Sequence, residues 1–302
     1  MSTKQVQDAY IVAATRTPIG KAPRGAFRNT RPDDLLVAAI RSAMRQVPSL
    51  DPGAIEDAIV GCSFPEGEQG MNMARIAVAL CGFPKPVGGV TVNRFCASGL
   101  TAVQMAADRI RVGEADVLIA GGAESMSLVP MGGNKPSFNP EILARDENVG
   151  IAYGMGLTAE KVALQWKVSR EAQDAFSLES HRRALKAQAA GEFSDEITPI
   201  DVIERFPELA NGTQGTRTRT ISLDEGPRPD TSLEGLAKLR PVFAAAKDPS
   251  GKSTGMGSVT AGNSSQTSDG AGALILASEK AVKQFDLTPL ARFVSFAARG
   301  VP

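Results

Sequence analysis

Cys96 is the residue whose type and context best suit covalent chemistry. It lies in Val92-Asn93-Arg94-Phe95-Cys96-Ala97-Ser98-Gly99-Leu100, between an apolar run and an Ala-rich segment with helical character. A thiol at a helix N-terminus faces free N–H groups and the positive end of the dipole, which favours the thiolate, the nucleophilic form. The backbone N–H of Cys96 could also hold an oxyanion formed by attack on a carbonyl. The competing reading is a small buried hydrophobe, the usual fate of a free cysteine. Cys62 and Cys81 read as core filler. The three cysteines are 19 and 15 positions apart, which is neither zinc nor redox spacing, and an odd count argues against a disulfide framework.

Other chemistry-bearing residues are sparse. The only histidine, His181, sits in Ser180-His181-Arg182-Arg183 beside an apolar stripe at Ala175, Leu178, Leu185 and Ala189. That stripe has helical period, so His181 reads as a partly exposed helix residue. One imidazole excludes any site needing two, including His-rich zinc sites, and no metal is expected. Residues 246–253, AKDPSGKS, fit a loose phosphate-loop pattern, but the Gly-rich, helix-poor segment after them argues against nucleotide triphosphate binding. The basic run at 216–220, TRTRT, reads as a solvated loop edge.

Elements that could position Cys96 follow from periodicity. Tyr10–Ala14 reads as a strand, and Pro32-Asp33-Asp34 opens a helix through Val47. A strand over 58–62, a helix over 73–81, a strand over 89–92 and a helix over 97–111 follow. A strand over 117–120 ends at Gly121-Gly122. This βαβα pattern predicts a layered α/β sheet with right-handed crossovers. From about Met126 to Val259 the chain turns polar and Pro-rich, with one clear helix over 169–190 and loop-like stretches such as ANGTQGTRTRT. It reads as an inserted subdomain. A strand over 273–277 and a helix over 279–285 restore the α/β character, and LARFVSFAARGVP reads as a strand that begins a further unit.

Composition bounds the rest. With 302 residues there is ample core for about two domains. Lys plus Arg equals Asp plus Glu at 33 each, so no basic field marks a nucleic-acid binder. No apolar run is long enough to span a membrane and no signal segment is evident, so the cytoplasm is expected.

Several motifs together resemble the thiolase family. VNRFCASGLTAVQMAADRI followed by ADVLIAGGAESMS resembles its acyl-enzyme signature. RTPIGK, MGLTAE, AKLRPVF and TAGNSSQTSDGAGA match in order through most of the chain. GNSSQ and EGLAKLRPVF are closer to the degradative 3-ketoacyl-CoA branch. The resemblance implies a layered α-β-α fold, the first of two similar domains, with an inserted loop domain. The implied boundaries are 1–125 and 268–287 for the first domain, 126–267 for the CoA-binding insert, and 288–302 for the first strand of a second domain. It implies that Cys96 carries an acyl thioester while a 3-ketoacyl-CoA is cleaved with CoA to acetyl-CoA and a shortened acyl-CoA, as in fatty-acid β-oxidation. CoA is then a co-substrate and no bound cofactor is needed. By motif match, Ser265 would hydrogen-bond the pantetheine arm, Met155 would line the tunnel, Phe243 would pack on the pantetheine, and Arg228 would meet the nucleotide end. Bland alternatives are core roles for Met155 and Phe243 and a solvated charge for Arg228. The family also implies a homodimer or homotetramer and a possible hydratase/dehydrogenase partner.

The sequence also departs from the family pattern. No Gly-His-Pro, Asn-Glu-Ala-Phe or Cys-x-Gly motif is present. These carry the activating His, an Asn and the second Cys. The chain resembles a thiolase that stops within its second domain, and the chain alone is expected to be nearly inactive. Alternatives are an acetoacetyl-CoA-type biosynthetic thiolase, another condensing enzyme of the same fold, or a non-catalytic CoA-binding fragment.

Overall fold

The computed structural model describes residues 6–243 and 257–301, without the side chains of 146–148. The phosphate-loop-like stretch at 246–253 lies outside the described residues. In chain order the elements are β1 (Ala9–Arg16), β2 (Gly20–Lys21), α1 (Pro32–Gln46), β3 (Asp57–Gly61), α2 (Met73–Cys81), β4 (Val90–Val92), α3 (Ser98–Arg111) and β5 (Val117–Ser125). After these come α4 (Pro140–Leu143), α5 (Met155–Trp166), α6 (Arg170–Ala189), β6 (Ile200–Glu208), β7 (Thr213–Ile221), α7 (Leu233–Ala237), β8 (Ser268–Ser278), α8 (Glu279–Gln284) and β9 (Ala291–Arg292).

Two compact units result. The first takes the described residues of 1–134, 194–225 and 267–302; the second takes those of 135–193 and 226–266. The first unit is built on a sheet of order β4-β3-β5-β8-β1-β9, with β2 on β8. β3 runs parallel to β4 and β5, while β5–β8, β8–β1 and β1–β9 are antiparallel. α2 connects β3 to its neighbour β4, and α3 carries the chain from β4 across β3 to β5, as the βαβα pattern requires. Alternate strand residues enter opposite layers. Val60, Ile119 and Ile275 join α1 and α2 through Leu35, Leu36, Ile40, Met73 and Val78. Ile59, Leu118, Ala120 and Leu276 join α3 through Ala102, Val103, Ala106, Ala107 and Ile110. This is an α-β-α layering. The alanines of α3 let it lie close to the sheet.

Local signals account for the helix ends. α1 starts with Pro at its first position and Asp33 and Asp34 in its first turn. The Asn72 side chain accepts the Arg75 N–H to open α2, and Gly82 closes that helix at φ 78°. Ser278 caps α8 by accepting the Ala281 N–H at 3.1 Å.

The structure departs from the sequence reading at several places. The strand expected to stop at Gly121-Gly122 continues to Ser125, because β5 is an inner strand paired along its length with β8. β8 likewise starts at Ser268 rather than Ala273. The stretch TRTRT is not a loop edge but the body of β7, paired with β6 in a two-stranded sheet. Its alternating Thr and Arg suit a strand exposed on both faces, and Asn211-Gly212 supplies the turn, with Gly212 at φ 62°. Residues 194–225 group with the first unit although the expected insert 126–267 contained them. Ile200 and Val202 enter its core, and Arg16 grips Asp224 with two bonds of 2.8 and 2.9 Å. Among the described residues of LARFVSFAARGVP, only Ala291–Arg292 is a strand, and it pairs with β1.

In the second unit, α5 is a helix the sequence reading did not mark. On α6 the buried residues are Asp174 and Leu178, whereas Ala175 and Ala189 of the expected stripe are exposed. Glu160, buried on α5, accepts the Ser258 N–H (2.8 Å), the Ser258 hydroxyl (3.0 Å) and the Val259 N–H (2.8 Å). Asp174 accepts from Arg170 at 2.8 Å and from Asn263 at 2.9 Å. Two buried carboxylates thus anchor residues 258–263 to α5 and α6, with their charge matched by donors.

Candidate active site

Cys96 stands in a turn between β4 and α3, two residues before the first helical residue. It is exposed, whereas Cys62 is buried and Cys81 half-buried. Burial pushes the Cys62 thiol up to about 12, with the Glu124 carboxylate adding to the effect, and pushes Cys81 up to about 11. Of the three, only Cys96 is exposed to an incoming electrophile.

The turn has an unusual backbone. Phe95 has φ 47°, in the left-handed region that bulky residues avoid. The Ala97 N–H donates to the Arg94 carbonyl at 3.1 Å, and the Ser98 N–H to the Phe95 carbonyl at 3.0 Å. The Ser98 hydroxyl accepts the Arg94 N–H at 2.8 Å and donates to the Phe95 carbonyl at 2.6 Å. On the other side, the Asn93 carboxamide oxygen accepts the Phe95 N–H at 2.8 Å. The Phe95 ring tilts against Phe64 with centroids 5.9 Å apart. The result is a tight, bonded turn that carries the thiol at the head of α3.

Glycines let that helix head approach the sheet. A Cβ on Gly61 would stand 2.4 Å from both the Gly99 nitrogen and the Ser98 carbonyl carbon, and one on Gly122 would stand 3.5 Å from the Gly99 Cα. At Gly61 only hydrogen allows the approach. Beneath it runs a polar chain. Glu124 on β5 accepts the Ser63 N–H at 2.7 Å and an N–H of the fully buried Gln69. The Ser63 carbonyl accepts the Asn93 amide at 2.9 Å. Ser125 and Ser127 donate to the buried Asp269. Residues of GGAESMS therefore support this end of the sheet. Asn93, Ser63, Glu124 and Gln69 were not read as site residues. Asn93 stands three positions before Cys96 within the same motif, which is the one local signal that could have found it.

The four residues assigned to CoA all lie in the second unit. Met155 is the first residue of α5 and is exposed rather than core. Phe243 lies against the same helix end, since a Cβ on Gly156 would meet its ring at 2.0 Å. Ser265 is exposed, and its hydroxyl donates weakly to the Gln266 carbonyl at 3.3 Å. The GNSS loop before it is held by Thr260, whose hydroxyl accepts the Gly262 and Asn263 N–H groups at 3.2 Å. Arg228 pairs with Asp230 at 2.9 Å, and its backbone N–H donates to His181 Nδ1 at 3.1 Å. That bond engages the lone imidazole within the second unit. The guanidinium of Arg228 holds the Asp230 carboxyl below the usual carboxylate range. Met155 and Phe243 are thus brought together, as are Arg228 and His181.

A cavity of about 900 Å³ lies elsewhere in the first unit, along α1 and β6, with Arg28, Arg41, Arg45 and Glu204 in its wall. None of its lining residues belongs to the Cys96 turn. Among the described residues, no cluster of His, Cys, Asp or Glu could hold a metal ion, and no helix is long and apolar enough to cross a membrane.

The family model described as thiolase, N-terminal domain, matches residues 9–280. A 3-ketoacyl-CoA thiolase of Bacillus subtilis is 43% identical over 98% of this chain, which spans 72% of that relative's length. Among solved structures, a Bacillus anthracis acetyl-CoA acetyltransferase superposes with a TM-score of 0.78 at 34% identity, over 96% of this chain and 70% of that one. Human mitochondrial 3-ketoacyl-CoA thiolase in complex with CoA superposes with a TM-score of 0.76, also at 34% identity, over 95% of this chain and 69% of that one.

Proposed function

Because the chain belongs to the thiolase family, we propose that Cys96 is the nucleophile of a 3-ketoacyl-CoA thiolase. The observation that carries this reading is the exposed thiol on a bonded turn at the head of α3, while Cys62 and Cys81 are withdrawn and held protonated. The Cys96 sulfur attacks the 3-keto carbon and an S–C bond forms. The bond between C2 and C3 then breaks. Its electron pair leaves with C2, which takes a proton and departs as acetyl-CoA. The thiolate of free CoA then attacks the thioester on Cys96, carries off the shortened acyl group and returns the cysteine. Dividing the cleavage through a covalent adduct replaces one difficult step by two easier ones.

CoA serves as co-substrate. In this proposal Met155 and Phe243 offer an apolar wall to the pantetheine, Ser265 a hydroxyl to its amides, and Arg228 a cation to the phosphates. Arg228 would exchange its exposed Asp230 partner for the nucleotide end. A role in β-oxidation, a cytoplasmic setting, a homodimer or homotetramer and a hydratase/dehydrogenase partner belong to the same proposal. The likeness to a Bacillus anthracis acetyl-CoA acetyltransferase favours a second reading, the acetoacetyl-CoA branch. Comparing acetoacetyl-CoA with longer 3-ketoacyl-CoA substrates separates the two.

We also propose that this chain by itself turns over slowly. Its one imidazole accepts the Arg228 N–H, and no Gly-His-Pro or Cys-x-Gly motif occurs in the sequence. Lack of a general base costs roughly 10²–10⁴ in rate, and loss of one oxyanion donor roughly 10²–10³. Acyl transfer to Cys96 is the partial reaction to measure. After incubation with acetyl-CoA, peptide mass spectrometry should find an acetyl group on Cys96 and none in Cys96→Ala. Bound CoA with no adduct would instead indicate a non-catalytic CoA-binding role.

A further inference from the structure

Resting on the assignment of Cys96 as nucleophile, we propose that Asn93 is a positioning residue that holds the left-handed turn at Phe95 and thereby sets the direction of the Cys96 thiol. Phe95 has φ 47°, a conformation glycine adopts freely and phenylalanine does not, so neighbouring bonds must hold it. From the C-terminal side, Ser98 binds Arg94 and the Phe95 carbonyl. From the N-terminal side, the Phe95 N–H is held by Asn93 Oδ1 at 2.8 Å. Those two grips act on opposite ends of one peptide segment, and Cys96 is the residue that follows it.

Asn93 has a second bond that gives the turn a fixed reference. Its Nδ2 donates to the Ser63 carbonyl at 2.9 Å, just past the end of β3. The Ser63 N–H in turn donates to Glu124 Oε2 at 2.7 Å on β5, and the buried Gln69 donates to the same carboxylate. One carboxamide thus links the turn to two adjacent strands, using its acceptor for Phe95 and its donor for Ser63. A carboxylate has no donor for Ser63, and an alanine has neither function. The Asn93 side chain is exposed, so replacing it removes little packing and leaves the core that folds the unit.

The test uses the full chain and iodoacetamide, a probe that needs no CoA chemistry. Cys96 alkylation is followed by peptide mass spectrometry in the wild type, Asn93→Ala, Phe95→Gly and the double variant, with thermal unfolding confirming that each is folded. Asn93→Ala should alkylate about fivefold more slowly, as the thiol leaves its place at the helix head. The double variant should return to the rate of Phe95→Gly alone, because glycine takes a positive φ without help. Equal rates in the wild type and Asn93→Ala would overturn the proposal. So would a slow double variant, since Asn93 would then act through something other than the turn. Acetyl-CoA is run in parallel. Absence of an acetyl adduct in the wild type refutes the assignment of Cys96 as nucleophile, while the iodoacetamide comparison still decides the role of Asn93.

Discussion

Three cysteines in one chain receive three environments. Cys62 sits at the end of β3 with its sulfur 3.8 Å from Glu124, and burial and that carboxylate both oppose a thiolate. Cys81 closes α2, with burial again holding the proton. With thiols pushed up to about 12 and about 11, both remain protonated at pH 8, because that pH lies well below each value. Brief iodoacetamide treatment of the native chain at pH 8 should therefore label Cys96 and spare the other two. Labelling of all three should appear only after denaturation. Comparable labelling of Cys62 in the native protein would show that the closed sheet end around Glu124 opens in solution.

At the scale of elements, the site depends on how closely the head of α3 meets β3 and β5. Gly61 ends β3 and its missing side chain is the space that Ser98 and Gly99 occupy. Backbone atoms 2.4 Å from a new methyl cannot rotate away as a flexible side chain would. Gly61→Ala should lower the stability of the first unit by roughly 1–3 kcal/mol, the usual cost of overpacking. Urea unfolding is the measurement, and an unchanged midpoint would show that the helix can lift from the sheet without cost. The β6–β7 hairpin illustrates the opposite regime. Its strands are largely exposed, so turn chemistry at Asn211-Gly212 and cross-strand pairs such as Arg217–Glu204 at 2.5 Å define it more than burial does.

At the scale of the whole molecule, the chain leaves the first unit and returns to it twice. Residues 194–225 return after α6, and the bonds that tie them in are polar. Arg16, the first residue of RTPIGK, bonds Asp224 bidentately and Glu196 at 2.7 Å. Asp224 also accepts the Ile19 N–H at 2.8 Å, and Glu225 accepts the Lys21 and Ala26 N–H groups at 2.9 Å. Asp224→Asn keeps an acceptor but removes the charge facing Arg16. It should reduce stability by roughly 1–3 kcal/mol, as expected when a charge-assisted pair is broken. A fall in the chemical denaturation midpoint would register it, and no change would place the tie in the hydrophobic contacts of Ile200 and Val202 alone.

Sequence by itself determined the parts that depend on local pattern. The alternating β3, α2, β4, α3 run was legible because apolar residues repeat at periods of 2 and 3.6, and Cys96 was legible because it interrupts that run at a strand-to-helix junction. The RTPIGK and GGAESMS motifs were visible as strings, but their roles were not. Arg16 meets Asp224 across 208 positions, and Glu124 meets Gln69 and Ser63 across a sheet. The left-handed turn at Phe95 had no local signal, since nothing in phenylalanine predicts a positive φ. Tertiary structure alone decided the Arg16 and Glu124 pairings, because each depends on a donor and an acceptor far apart in sequence being brought within about 3 Å, the reach of a hydrogen bond. The solitary histidine shows the same division. Its number was a fact of the sequence, but its partner, the Arg228 N–H, was set by the fold.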